Sequence, residues 1–159
     1  MKNWSKKKKI LIVLLILFLA AQAVQPSKNT DQTLEPSDIQ SSVNVRPAIS
    51  AILKRACYDC HSNHTIYLWY DNITPVNWWV ADHIEQGKQE LNFTTFNEYK
   101  KALQFEKLEE IAQSVENDEM PLKSYTLIHP NAKLSEDEKT ALATWARTAM
   151  DEMNKLPSH

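Results

Sequence analysis

One glycine in 159 residues, Gly87, narrows the possible folds more than any other feature of this chain. A P-loop and a G-x-G-x-x-G dinucleotide fingerprint each need several glycines where backbone approaches phosphate, so neither can be built. A hairpin-rich β fold also calls for turn residues with positive φ, which glycine supplies at no steric cost. The length permits one modest domain with a leader or a tail, and little room for a second core.

The hydrophobic spacing is helical. Pro47 suits a first helical position, and Ile49, Ile52, Leu53 and Ala56 follow it on one face. Thr74-Pro75 predicts a second helix start, with Val76, Trp79, Val80, His83 and Gly87 sharing a face behind it. A short helix is expected from Thr95 to Leu103, and Leu108, Ile111, Ala112 and Val115 mark another. Ser135 and Glu138 form a capping box, followed by a stripe of Leu142, Trp145, Ala146, Ala149 and Met153. No segment alternates with the period of a strand, so the expected fold class is all-α.

The N-terminus has the order of an export signal. Lys2 and Lys6 to Lys9 form a basic region, and Ile10 to Ala21 is an unbroken apolar run. Ala21-Gln22-Ala23 fits a small-residue cleavage site. An uncleaved anchor is the alternative, with Trp4 and the lysines at the cytoplasmic interface and the body outside. Residues 1–24 are therefore read as signal peptide or membrane anchor, 25–46 as a polar linker, and 47–156 as the folded domain. Either reading of the leader places the body on the outer, periplasmic side of the cytoplasmic membrane. Without the five leader lysines the body carries 13 Lys/Arg against 20 Asp/Glu, a net charge of −7. Such an acidic body argues against nucleic acid as a partner.

Both cysteines of the chain lie in Cys57-Tyr58-Asp59-Cys60-His61, one C-x-x-C-H. Two thiols three residues apart at a helix end can both reach the vinyl groups of one haem, and the next imidazole can ligate the iron. Cys57 and Cys60 are then thioether attachments for one covalent haem c, and His61 is the proximal ligand. A thioredoxin-like pair, half of a zinc site completed by two histidines, and a plain disulfide are the competing uses of the same thiols. For the distal position the candidates are Met120, in Asp118-Glu119-Met120-Pro121, and His83, on the helix that follows Pro75. A methionine there raises the reduction potential relative to a second histidine. The aromatic block of Tyr67, Trp69, Tyr70, Trp78 and Trp79 offers large apolar area for a porphyrin face or edge, or for core packing.

The order of helix, CYDCH, middle helices, MP and LSEDEKTALATWA resembles a class I c-type cytochrome. It is more closely similar to the bacterial haem-binding domain family of exported, membrane-tethered proteins with one C-x-x-C-H. The similarity lies in residues 67–93, 119–135 and the terminal ATWA, and covers most of residues 47–147. It implies a cytochrome c-like helical domain around one haem, with Cys57, Cys60 and His61 attaching and ligating it and Met120 as sixth ligand. The aromatic insert from Tyr67 to Phe93 is longer and richer in tryptophan than in ordinary class I cytochromes, and it keeps His83 in contention.

Two classes of function follow. A six-coordinate iron suits a one-electron carrier, with membrane-associated redox proteins as partners and an acidic surface that steers toward a basic face. An open or labile sixth position suits a haem-based sensor or a peroxidase-like enzyme, which needs polar groups over the iron.

Overall fold

The computed structural model describes residues 5–31 and 36–155. Lys2 and Trp4 of the leader and Leu156, the expected domain end, lie outside them. The described residues are helical: α1 (Lys6–Ala21), α2 (Pro47–Ala56), α3 (Tyr58–His61), α4 (Val76–Glu90), α5 (Lys101–Glu116), α6 (Lys123–Ile128) and α7 (Glu136–Lys155). Short 3₁₀ turns lie at Ile39–Ser41, Trp69–Asn72, Phe93–Glu98 and Pro130–Ala132. Among these residues there is no strand, only an antiparallel bridge between Thr30 and His64. The all-α expectation holds.

The core is built on α7. Its capping box forms as the sequence predicts: the Ser135 N–H donates to Glu138 Oε2 at 2.9 Å, and the Glu138 N–H donates to Ser135 Oγ at 3.2 Å. The predicted stripe is buried from Leu142 to Met153 and packs on Leu108, Ile111, Ala112 and Val115 of α5. Each leucine, isoleucine, valine or methionine among them contributes about 1.5–3 kcal/mol when fully buried. Helix α2 begins at Pro47, buries Ile49, Leu53 and Ala56 in the same core, and contacts α7.

Three local expectations need correction. Helix α4 starts at Val76, one residue late, and Pro75 is its cap. The buried residues of α4 are Asn77 and Ile84, while Val76 and Trp79 are exposed, so the helix is rotated from the predicted face. Residues 95–103 are not one helix: a 3₁₀ turn ends at Glu98 and α5 starts at Lys101, with Tyr99 extended between them. The Tyr99 hydroxyl instead accepts from the Asn92 N–H at 2.8 Å, closing the loop on itself.

The segment that composition reads as a linker is packed. Ile39 and Val43 are buried in the core, and the Trp145 indole N–H donates to the Asn44 carbonyl at 3.2 Å. Residues 22–31 form a strap across α4 and the loop after α3. Gln22 donates to the Thr74 carbonyl at 3.1 Å and accepts from the Thr74 N–H at 3.0 Å. The Asn29 side chain donates to the Ser62 carbonyl at 2.8 Å and to Thr65 Oγ1 at 2.9 Å, and accepts from Lys88 at 3.0 Å. Polar side chains that suggest a solvated tether here pair with polar groups of the domain, which satisfies both partners.

Helix α1 takes up the apolar run, and its side chains are largely exposed. At 16 residues it is about 24 Å long. No helix among the described residues is long and apolar enough to cross a membrane, so the expected anchor helix is not found.

Candidate functional site

The C-x-x-C-H segment sits where α2 ends. Cys57 departs from helical geometry at φ −126°, and its carbonyl accepts from the Cys60 and His61 N–H groups at 3.2 and 3.0 Å. The single turn of α3 therefore presents both thiols and the imidazole from one short, hydrogen-bonded unit. The residues between the cysteines hold that unit in place. The Tyr58 ring stacks on Phe93 at 5.1 Å between centroids. Asp59 accepts from the Tyr125 hydroxyl at 2.7 Å and from the Ile66 N–H at 3.1 Å.

Gly87 explains itself here. A Cβ at this position would lie 2.7 Å from the Cys60 carbonyl oxygen and 3.2 Å from the Cys60 Cβ. Only glycine lets α4 approach the turn so closely, because the obstacle is backbone. The glycine admits another helical element, the turn of α3.

His61 Nδ1 lies 3.0 Å from the Leu91 carbonyl, at the end of α4. A carbonyl only accepts, so Nδ1 carries the proton and Nε2 keeps its lone pair for a metal. Burial lowers the His61 pKa, which favours the same neutral form, although the hydrogen bond to Leu91 acts in the opposite direction. Burial also raises the thiols, Cys57 to about 12 and Cys60 to about 11. A reactive dithiol needs a depressed thiol pKa, which is the reverse of this arrangement. Among the described residues no group of three or more His, Cys, Asp and Glu is placed to hold a bare metal ion.

A crevice opens over this unit. One cavity of about 430 Å³ is lined by Ala56, Cys57, His61, Phe93, Ile111 and Met120, among others. A second, of about 380 Å³, is lined by Cys57, Cys60, His61, His83, Gly87 and Met120. Both sizes are typical of cofactor sites. Met120 reaches the crevice because α5 stops short beneath it. Asp118 adopts a left-handed φ of 59°, and the Glu119 and Met120 N–H groups both donate to the Ser114 carbonyl, at 2.9 and 3.1 Å. Glycine is the usual residue at such a helix end, at less conformational cost than Asp.

The crevice therefore collects Cys57, Cys60, His61, Met120 and His83. Met120 borders both cavities and His83 borders the second. His83 donates from Nδ1 to the Trp79 carbonyl at 2.9 Å and lies against the Trp79 ring, 4.0 Å between centroids. His129 is held between Tyr125 and Tyr70 and lines a smaller cavity that His83 also borders. The tryptophans do not fill the role the sequence suggests: Trp69, Trp78 and Trp79 are exposed, and none lines either large cavity. Asp59, Leu91, Phe93 and Tyr125 are positioning residues that sequence reasoning missed. They lie 30 or more residues from the motif, or inside it without a chemical signature.

The donor set fits haem. Two protonated thiols, an imidazole with its tautomer fixed and a thioether share one largely apolar crevice, and no side chain at Gly87 blocks the turn. In comparisons with known proteins, a family model described as a haem-binding domain matches residues 16–148. No curated protein and no solved structure matches the chain.

Proposed function

The chain belongs to the haem-binding domain family, and on that premise we propose that it is an exported monohaem c-type cytochrome that transfers single electrons. The observation that carries the reading is the convergence of Cys57, Cys60, His61 and Met120 on one crevice. Haem supplies the one-electron couple when bound. Cys57 and Cys60 would hold the haem through their sulfurs as thioethers. His61 ligates through Nε2, and the Leu91 carbonyl holds its ring and keeps Nδ1 protonated. Met120, which borders both cavities, would offer its thioether sulfur as a second ligand to the iron. Ala56, Phe93 and Ile111 would give the haem apolar packing within the crevice.

The basic, apolar leader supports export to the periplasmic side of the cytoplasmic membrane, and the acidic body supports a redox partner with a basic face. Redox titration and absorption spectroscopy of the loaded protein test the proposal. A low-spin spectrum is expected, with haem that stays on the chain after denaturation and acid extraction. The Met120→His variant is expected to remain low-spin at a lower midpoint potential, and His83→Ala to leave the potential near wild type. Haem lost to extraction rules out the thioethers. A high-spin wild-type spectrum rules out the carrier.

A further inference from the structure

The loop that carries Met120 has a second attachment besides the end of α5. Asp118 holds its left-handed φ of 59°, and the chain around it turns back onto α5. The Asp118 N–H donates to the Val115 carbonyl at 3.4 Å, and the Glu119 and Met120 N–H groups donate to the Ser114 carbonyl. Glycine ordinarily closes this hydrogen-bond pattern and would hold the same backbone at less steric cost. Backbone conformation alone therefore does not account for an aspartate here.

Its carboxylate does. Asp118 is ion-paired with the ammonium of Lys139, 21 residues further along the chain and near the start of α7. The Lys139 side chain is only 14% exposed, and Glu136 holds the same ammonium at 2.6 Å. Ion pairs between two solvated side chains contribute little, but here the cation is largely out of water and lies between two carboxylates. The backbone beneath it is firm as well. The Lys139 N–H donates to the Ser135 carbonyl at 2.9 Å, inside the capped first turn of a helix that packs on α5.

The pair lies directly behind the crevice. Asp118, Met120, Leu134 and Lys139 line a cavity of about 200 Å³, which shares only Met120 and Pro121 with the two larger ones. Met120 and Pro121 thus form the wall between them. A methionine side chain is flexible, and its thioether competes for iron with His83, which borders the crevice too. The backbone of residues 118–120 is what aims the sulfur.

We infer that Lys139 is a positioning residue for the sixth ligand: by pairing with Asp118 it holds the left-handed turn that delivers Met120 to the crevice. The inference rests on the reading of Met120 as iron ligand.

Ferric absorption spectra of the haem-loaded full chain test the tether, because the methionine–iron charge-transfer band reports the sulfur itself. In Lys139→Met the band is expected to fall several-fold. In the double variant Lys139→Met/Asp118→Gly it is expected to return toward wild type, since glycine keeps a left-handed φ with no ion pair. Glu136→Gln, which removes the other partner of Lys139, and Ser135→Ala, which weakens α7 generally, are expected to keep the band. Asp118→Ala breaks the pair from its exposed side and carries the test if Lys139→Met does not fold. A full band without the pair overturns the tether, and so does a double variant that loses the band as far as the single one. Amide hydrogen exchange at Glu119 and Met120 reads the same loop without the iron. It is expected to be faster in Lys139→Met and to slow again in the double variant. Unchanged exchange overturns the tether alone, whereas a wild-type spectrum without the band overturns methionine ligation and the inference with it.

Discussion

At Gly87 two effects of a single methyl group oppose each other. Replacing glycine by alanine inside a helix gains up to about 1 kcal/mol of propensity. Here the new Cβ meets the Cys60 carbonyl oxygen at 2.7 Å, and backbone cannot rotate away as a side chain could. Overpacking of this kind costs about 1–3 kcal/mol, so the steric term wins. Gly87→Ala is expected to melt several degrees below wild type and to load less haem, measured by thermal circular dichroism and by absorbance. The C-x-x-C-H itself was legible in the sequence, because its chemistry depends on five adjacent residues. The groups that hold it were not. Leu91 acts through a carbonyl, which any residue possesses, and Tyr125 reaches Asp59 across 66 positions.

Among the elements, α7 was the most legible and α4 the least. A capping box and a stripe are local signals, and both formed as read. Ser135→Ala removes the cap and is expected to cost about 1 kcal/mol in a denaturant melt. The Glu138 pKa is lowered, first by the Ser135 N–H and then by Arg55. A carboxylate with a depressed folded pKa contributes stability above its unfolded pKa and loses it as pH falls through the folded value. Glu138→Gln should therefore narrow its stability gap to wild type as the pH drops below the ordinary carboxylate range, in melts from pH 7 to 3. The misreading of α4 has a physical cause. Hydrophobicity alone places its aromatic residues inward, but the turn of α3 occupies the inner side and demands a small residue there. Asn77 turns inward because Gln25 supplies a hydrogen-bond partner, and Trp79 turns outward onto His83.

For the whole molecule, the strap changes what the N-terminal third does. Composition marks residues 25–46 as polar, and polarity alone does not separate a solvated tether from a segment whose amides find buried partners. Asn29 is the discriminating residue, since its side chain serves Ser62, Thr65 and Lys88 together. Asn29→Ala is expected to destabilise the domain by about 1–3 kcal/mol, read from the denaturation midpoint. A free tether would leave that midpoint unmoved. The acidic body gives a further expectation at this scale: electron exchange with a basic partner should slow as ionic strength rises, since screening shortens the reach of the −7 charge. The close contact of α4 with α3 also sets the smallest portable piece of this protein. A pentapeptide C-x-x-C-H grafted into a foreign helical bundle carries the reactive atoms but leaves behind the glycine that clears the turn and the Leu91 carbonyl that fixes the imidazole. A working transplant has to carry α3 and α4 together, through Phe93, as a single cassette.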